Sequence, residues 1–554
     1  MAFNGNRLAS EDDCDRDMAS ILNERRRVAL AEMDNAPFSW FHVKLCTVAG
    51  IGFFTDAYDI FAIDIAVNML KFTYEDGYIS PWKSTGLKVA SAIGNLVGQL
   101  IFGWLADFYG RKRMYGIELM IMITATFCQA MSGQAPAVGI IGVLIFWRFI
   151  MGVGIGGDYP LSAIIASEFA ATKIRGRLMT VVFACQGWGQ LTSAIVSIIV
   201  LSAFKDAILS APYPASTPID YCWRILIGFG CIPGVIALYF RLTIPETPRF
   251  TMDIERNVSQ ASKDIHAVLG TTTYVVDKAL TEHAKAPRAS RADFIAYFSQ
   301  WKNLKVIIGT AYSWFALDIA FYGLGLNSSI ILSAIHFSPY EPTSTSRSVF
   351  EGLRNNGIGN LILSVAGLIP GYWVSFLFID TWGRKPIQLM GFIILTILFL
   401  VMGFCYDVFV ASESGRHVFV FLYCLANFFQ NFGPNTTTFI IPGEAFPTRY
   451  RSTAHGISAA FGKLGAVVAQ LAWGGTGGSV KLIMQIFAFI MLTGVLSTLL
   501  LPETKQRSLE DISNEEQRGY ITGMCHSLTS QTRLTLYIPF SGVVDPLREV
   551  SRRW

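Results

Sequence analysis

Asp107-Phe-Tyr-Gly-Arg-Lys112 recurs in this chain as Asp380-Thr-Trp-Gly-Arg-Lys385, a shift of 273 residues. Two further landmarks repeat around that pair in the same order. Glu168, with Arg175 seven residues on, returns as Glu444 with Arg451, shifted by 276. Pro245-Glu-Thr247 returns as Pro502-Glu-Thr504, shifted by 257. Three unrelated patterns at nearly one offset mark an internal duplication. The chain reads as two similar halves, and composition shows the medium in which each half folds. Only 15% of its 554 residues are charged and 52% are hydrophobic, whereas soluble domains carry about a quarter charged residues. The charges are also segregated: residues 1–44, 245–305 and 503–554 hold 44 of the 84. The long apolar stretches between them could not all be covered in water, so the chain belongs in a bilayer.

At about 30–40 residues per span and connection, the apolar region has room for about twelve helices. They are expected near 45–70, 86–106, 115–133, 137–159, 178–203 and 222–243, then 304–335, 357–379, 387–408, 417–441, 453–475 and 480–501. The predicted class is an all-α polytopic membrane protein of two pseudo-twofold-related six-helix bundles. The expected divisions are a tail 1–44, a bundle 45–243, a linker 244–303, a bundle 304–502 and a tail 503–554. Arg25–Arg27, Arg111–Arg113, Lys173, Arg175, Arg177, the linker, Arg384, Lys385, Arg449, Arg451, Lys505 and Arg507 fall on one side. That bias places both termini in the cytoplasm, where the Asn257-Val-Ser glycosylation triplet would be silent. No removable signal peptide is visible. A net charge of +4 without a basic aromatic platform argues against nucleic acid. Of the nine cysteines, Cys46, Cys128, Cys185, Cys231, Cys405 and Cys424 lie in apolar runs and read as packed thiols. No metal cluster, nucleophile–base constellation or cofactor motif stands out, so an enzyme is not expected.

The glycine, aspartate and Gly-Arg-Lys turn between the second and third spans of each half resembles the signature loop of the major facilitator superfamily. Asp107 and Asp380 can cap the next helix end and pair with Arg111 and Arg384; with Glu168, Arg175, Glu444 and Arg451 they form the expected cytoplasmic gate. A charged turn that merely anchors helix ends in the headgroups would use the same residues.

Gly152-Val-Gly-Ile-Gly-Gly-Asp-Tyr-Pro-Leu-Ser-Ala163, followed by Glu168, resembles the signature of the phosphate:proton symporter family, of the fungal and plant high-affinity type. Ser313-Trp-Phe-Ala-Leu-Asp-Ile-Ala-Phe-Tyr-Gly323, Asn431-Phe-Gly-Pro-Asn435 and Phe461-Gly-Lys-Leu-Gly465 are similar to that family too, and the likeness spans about 37–510. The resemblance implies proton-coupled import of inorganic phosphate at a plasma membrane. Tyr159, Gln186, Trp314, Asp318, Tyr322 and Asn435 would contact the anion, and Asp56, Glu118, Arg148 and Asp158 would carry the proton. Rival readings are a transporter of glycerophosphodiesters or another phosphate ester, and a phosphate-sensing receptor.

The residues themselves agree with an anion site. Trp314, Asp318 and Tyr322 are spaced by four on one helix face, as are Asn427, Asn431 and Asn435, and Gln186 and Gln190. Amides and hydroxyls converging from both halves can surround a tetrahedral oxyanion, although interhelical hydrogen bonding would use the same groups. A carboxyl beside an anion shares a proton with it, which is a chemical basis for symport. Lys463 is the buried cation expected to offset the anion, unless it snorkels to an interface. Asp56 and Asp59 lie three apart in the first span, and Arg148 and Asp158 share the fourth. With Glu118 they read as a proton relay held by Arg148, or as a static ion-pair network. Gly152, Gly154, Gly156 and Gly157 allow close helix packing or a soft segment beside Asp158. Asp64 departs from the family pattern by adding a third acid to the first span, and the tail after Arg518 shows no functional pattern.

Overall fold

The computed structural model describes residues 34–35, 37–243, 246–253, 290–335 and 345–513. Arg25–Arg27, Asn257 and the tail after Arg518 lie outside them. Within the described residues eleven helices are long and apolar enough to cross a membrane. The first half runs Trp40–Tyr74, Pro81–Tyr109, Arg111–Met131, Ile140–Phe169, Arg175–Ala203 and Ser216–Arg241. The second runs Trp301–Gly325, Ser346–Trp382, Arg384–Phe404, Arg451–Gly475 and Val480–Thr498, with the tenth span as two helices, Glu413–Asn431 and Pro434–Ala445.

That break corrects the expectation of one continuous tenth helix. Pro434 has no N–H to donate and restricts the residue before it, so the ladder stops at Phe432-Gly433 and restarts with Pro434 in the first turn. Asn427, Asn431 and Asn435 therefore do not share one uninterrupted helix face. The sixth span is likewise two helices, Ser216–Gly228 and Cys231–Arg241. The expected seventh span, 304–335, ends at Gly325 and is followed by a separate short helix, Ser328–Ala334. The eighth contains a π-helical turn at Ser364–Leu368, just before Tyr372.

Outward faces carry apolar residues such as Phe127, Ile199, Tyr239 and Leu496, as a lipid-facing surface requires. Inside each half the helices approach closely. A Cβ on Gly152 would lie 2.3 Å from the Ser91 carbonyl oxygen, so the second and fourth spans touch backbone to backbone. Between halves, the second span packs along the eleventh and the fifth along the eighth. Those two seams exchange under the pseudo-twofold, so the duplication legible in the sequence is also the symmetry of the molecule.

The three repeated landmarks assemble into one unit per half. The turns at Gly110 and Gly383 take φ of +99° and +105°, values that favour glycine. Each turn lets the aspartate before it face away from its own helix. Asp107 accepts from the backbone N–H groups of Ser452 (3.3 Å) and Thr453 (2.8 Å), and Asp380 accepts from that of Arg177 (2.9 Å). Each thus caps a helix of the opposite half, which corrects the expectation that it caps the next helix of its own. The next helix is capped instead by the glutamate of Pro-Glu-Thr. Glu246 accepts from the Lys112 N–H (3.1 Å), and Glu503 from those of Arg384 (3.1 Å) and Lys385 (3.0 Å). Burial pushes the Glu246 carboxyl above its ordinary range, against the opposing pull of Arg111.

Candidate functional site

At the seam between the bundles, a continuous chain of polar side chains crosses from one half to the other. Lys463, on the eleventh span, donates to Asp318 Oδ2 (2.9 Å) and to the Tyr322 hydroxyl (2.9 Å). Tyr322 meets Tyr159 of the first half, hydroxyl to hydroxyl, at 3.4 Å. Gln186 Nε2 donates to Tyr159 (3.2 Å), and its Oε1 accepts from Tyr372 (3.1 Å). Asn435 Nδ2 then donates to Tyr372 (2.8 Å) and to Asn431 Oδ1 (2.7 Å). All these residues are buried. Trp314 closes one side, with its ring centroid 6.4 Å from that of Tyr159 and 5.5 Å from His455. Lys463 sits 4.3 Å over the Tyr322 ring and 4.7 Å over the Tyr159 ring, so two aromatic faces share its charge with Asp318.

The structure brings together every substrate-contact residue singled out in the sequence: Tyr159, Gln186, Trp314, Asp318, Tyr322, Asn435 and Lys463. Lys463 does not snorkel; it is 2% exposed and points at Asp318. Sequence reasoning missed Tyr372, which joins Gln186 to Asn435. It lies in an apolar run where a single tyrosine reads as packing, and only the helix crossing selects it.

The acids of the first half form a second cluster around a cation the sequence reading did not choose. Arg241, at the end of the sixth span, pairs with Glu118 and with Asp158 (2.5 Å). Asp158 also accepts from Ser162, whose hydroxyl meets that of Tyr115 at 2.8 Å. Arg148 was expected to hold these acids. Its guanidinium instead donates to the Leu87 carbonyl (2.7 Å) and to Ser91 (3.0 Å). Arg148 and Asp158 share a helix ten residues apart, nearly three turns along its axis, and that separation keeps them from pairing. Arg241 reads in sequence as one of many basic residues at a span's cytoplasmic end, so nothing local marks it. A Cβ on Gly52 would fall 1.7 Å from Arg241 Nη2 and 2.3 Å from Asp158 Oδ2, so any side chain there would have to displace the ion pair.

Asp56, one turn beyond Gly52, has no hydrogen-bond partner on either carboxylate oxygen among the described residues. It is buried near Asp158, Glu118, Asp59 and Arg241 of the acid cluster and within charge range of Tyr159 and Tyr322 of the interbundle chain. Asp59 accepts from Thr126 (2.8 Å) and faces the break in the sixth span.

Both ends of the seam are bridged. At the end with the Gly-Arg-Lys turns, Glu168 accepts from Arg451 (2.9 Å) and Arg111 donates to the Thr448 carbonyl (2.9 Å). Within the second half Glu444 holds Arg384 (2.8 Å) and Thr504 (2.5 Å). Arg175 departs from the symmetry, pairing with Asp34 (3.1 Å) and donating to the Arg507 carbonyl (3.0 Å). At the opposite end Lys88 pairs with Asp64 (3.1 Å) and donates to Asn327 (3.1 Å), while Asp64 accepts from Ser328 (3.1 Å) and Ser329. Asp64, the residue that departed from the family pattern, therefore belongs to a bridge at the mouth and not to the cluster around Arg241. Lys88, a charge within a span, was a signal the sequence reading passed over.

Comparison with known proteins agrees with this architecture. The family model described as "Sugar (and other) transporter" matches residues 45–515. The repressible high-affinity phosphate permease of Neurospora crassa is 49% identical over 521 residues, covering 89% of this chain and 90% of that one. The inorganic phosphate transporter PHO84 of Saccharomyces cerevisiae is 47% identical, covering 88% and 87%. Among solved structures, the proton:xylose symporter XylE, of the major facilitator superfamily, superposes with a TM-score of 0.65 at 19% identity, covering 86% of this chain and 99% of that one. That likeness speaks for the fold alone. With the duplicated bundles, the two seams and relatives close to half identical along nearly all of their length, the chain belongs to the sugar (and other) transporter family of the major facilitator superfamily, a family of membrane transporters.

Proposed function

We propose that this protein imports inorganic phosphate together with protons by alternating access. The observation that carries the reading is the buried Asp318–Lys463 pair, set among Tyr322, Tyr159, Gln186, Tyr372 and Asn435 from both bundles. The names of the Neurospora and Saccharomyces relatives support phosphate as the anion.

The geometry suggests how charge is exchanged. While Asp318 is ionised it holds Lys463, and an arriving anion must compete for that ammonium. A proton on Asp318 removes the carboxylate's charge and frees Lys463 to pair with phosphate, whose remaining oxygens accept from the tyrosine hydroxyls and amides. Loss of the proton on the far side restores the Asp318–Lys463 pair and expels the anion. Asp56, Asp59, Glu118 and Asp158 would carry the proton, with Arg241 holding Glu118 and Asp158 and Arg148 supporting Asp59 from the fourth span.

The bridges at each end would break alternately as the bundles 45–243 and 304–502 rock about the site, with the linker 244–303 joining them. Lys/Arg asymmetry supports cytoplasmic tails 1–44 and 503–554, and the likeness to the Saccharomyces phosphate transporter supports a plasma-membrane setting. The deciding experiment is uptake of radiolabelled phosphate into proteoliposomes at acidic outside pH, challenged with excess glycerophosphodiester, glucose or sulfate and with a proton ionophore. Phosphate-specific, ionophore-sensitive uptake is expected. Indifference to the ionophore would remove proton coupling, and displacement by the diester would favour the ester reading.

A further inference from the structure

The seventh span ends at Gly325, three residues after Tyr322. The carbonyls of its last turn have no further turn to receive them and need other donors. Side chains supply these. The Tyr423 hydroxyl donates to the Leu324 carbonyl (3.1 Å), and Asn327 Nδ2 donates to that of Gly323 (3.0 Å). Gln470 Nε2, from the eleventh span, adds a second bond to the Tyr322 carbonyl (2.9 Å), beside the one from the Leu326 N–H (3.1 Å). Asn327 and Gln470 are also joined directly, Nδ2 to Oε1, at 3.0 Å. Both Asn327 donors are thereby used, which turns its Oδ1 toward Lys88 of the first half (3.1 Å). Lys88 pairs with Asp64, which accepts from Ser328 and Ser329 at the start of the next helix. Every side chain in this series is buried.

We propose that Gln470 and Asn327 are positioning residues that tie Tyr322, and through it the phosphate site, to closure of the mouth opposite the Gly-Arg-Lys turns. The inference rests on the import reading above. Tyr322 joins Lys463 to Tyr159 of the other half, so the placement of the last turn of the seventh span decides where that hydroxyl stands. With this mouth closed, Lys88 holds Asn327, Asn327 holds Gln470, and Gln470 holds the Tyr322 backbone. Phe61, about one turn before Asp64 on the first span, adds a second tie. Its ring stacks on that of Tyr322 at 5.9 Å, with 6° between the planes. Gly325 admits it, since a Cβ there would lie 2.6 Å from Phe61 Cε1. Opening the mouth draws Lys88, Asp64 and Phe61 away together, and the last turn of the seventh span loses the contacts that fix it. Closure and anion binding are then linked, and linkage is reciprocal: weakening the bridge weakens phosphate binding, and phosphate binding favours the closed mouth.

The test is a double-mutant cycle on the phosphate Kd of the detergent-solubilised protein, with spin-label distances across this mouth measured in parallel. Gln470→Leu removes both bonds of the amide and should raise the Kd about tenfold and widen the mouth. Asp64→Asn with Lys88→Met removes the two bridge charges together, leaving neither unpaired, and should raise the Kd by a similar factor from a distance. Combining the two changes should raise the Kd no further than the larger single effect. Lys88→Arg, which can still meet Asp64 and Asn327, should keep it within about twofold. Phosphate should narrow the spin-label distances in the unmodified protein but not in Gln470→Leu. Multiplied effects in the combined variant, or an unchanged Kd in either parent, would overturn the link while leaving the import reading in place. Should Gln470→Leu fail to fold, the bridge variant decides alone, and an unchanged Kd there overturns the link. No phosphate binding by the unmodified protein would overturn both.

Discussion

Asp318 and Lys463 hold each other's charge in a buried seam, so neither can be neutralised by substitution without freeing the other. Asp318→Asn is expected to lower phosphate accumulation by at least 100-fold, because Lys463 no longer has a partner that a proton can switch. Full phosphate-driven proton movement in that variant would end the proposed role. Arg241 bears the heavier structural load, since it alone pairs with both Glu118 and Asp158 among the described residues. Arg241→Gln leaves two buried carboxylates without a cation and should cost about 3–5 kcal/mol of stability. Adding Glu118→Gln should recover part of that loss in thermal unfolding of the detergent-solubilised protein, and no recovery would show that the pair does not act as a unit. The types and positions of these acids were legible in the sequence, since ionisable groups inside a bilayer stand out. Their partners were not. Arg148 and Arg241 both occur within spans, and only the packing of the sixth span against the first and third decides which guanidinium reaches Asp158.

Elements here are shaped by where helices stop as much as by where they run. The tenth span breaks at Gly433-Pro434 and so places Asn431 and Asn435 on either side of a gap, yet within 2.7 Å of each other. The first span shows the opposite device, a glycine inside a continuous helix. Gly52→Ala would drive a methyl group into Arg241 and Asp158, and the displaced ion pair should weaken proton-coupled uptake more than the fold. Uptake is expected to fall by about tenfold or more, in line with 1–3 kcal/mol for overpacking. Wild-type uptake kinetics in Gly52→Ala would show that the first span can retreat from the cluster. Periodicity and the Asn-Phe-Gly-Pro-Asn string located both helices. The break itself follows from proline chemistry that the spacing of the asparagines obscured.

Across the whole molecule, the two halves are tied at both mouths, with the buried chain between them. Opening at the end with the Gly-Arg-Lys turns must break the Glu168–Arg451 pair and the Asp107 and Asp380 caps on the opposing helices. Each such charged hydrogen bond is worth about 1.5–3 kcal/mol, so Arg451→Gln should raise the population open at that end by at least about tenfold. Spin-label distances between the ends of the fifth and eighth spans on that side would report it, and an unchanged distribution would show that the bridge does not hold this end closed. The same variant should leave the Lys88–Asp64 bridge intact, because that bridge lies at the other mouth.

By itself the sequence determined the duplication, the membrane setting, the approximate positions of the spans and most side chains of the site. Those properties are written locally, in hydropathy, in helical spacing and in motifs that recur at one offset. Tertiary structure alone decided that Asp107 and Asp380 cap the opposite half, that Arg241 holds the acids, that Tyr372 completes the chain between bundles, and that Asp64 belongs to the outer mouth with Lys88. Each of these is a contact between separate helices, inside the first bundle for Arg241 with its acids and for Asp64 with Lys88, and across the two bundles for the caps and for Tyr372 with Gln186. Side chains on different helices meet only once a bundle has packed or the two bundles have closed on each other, which no local pattern in the chain encodes.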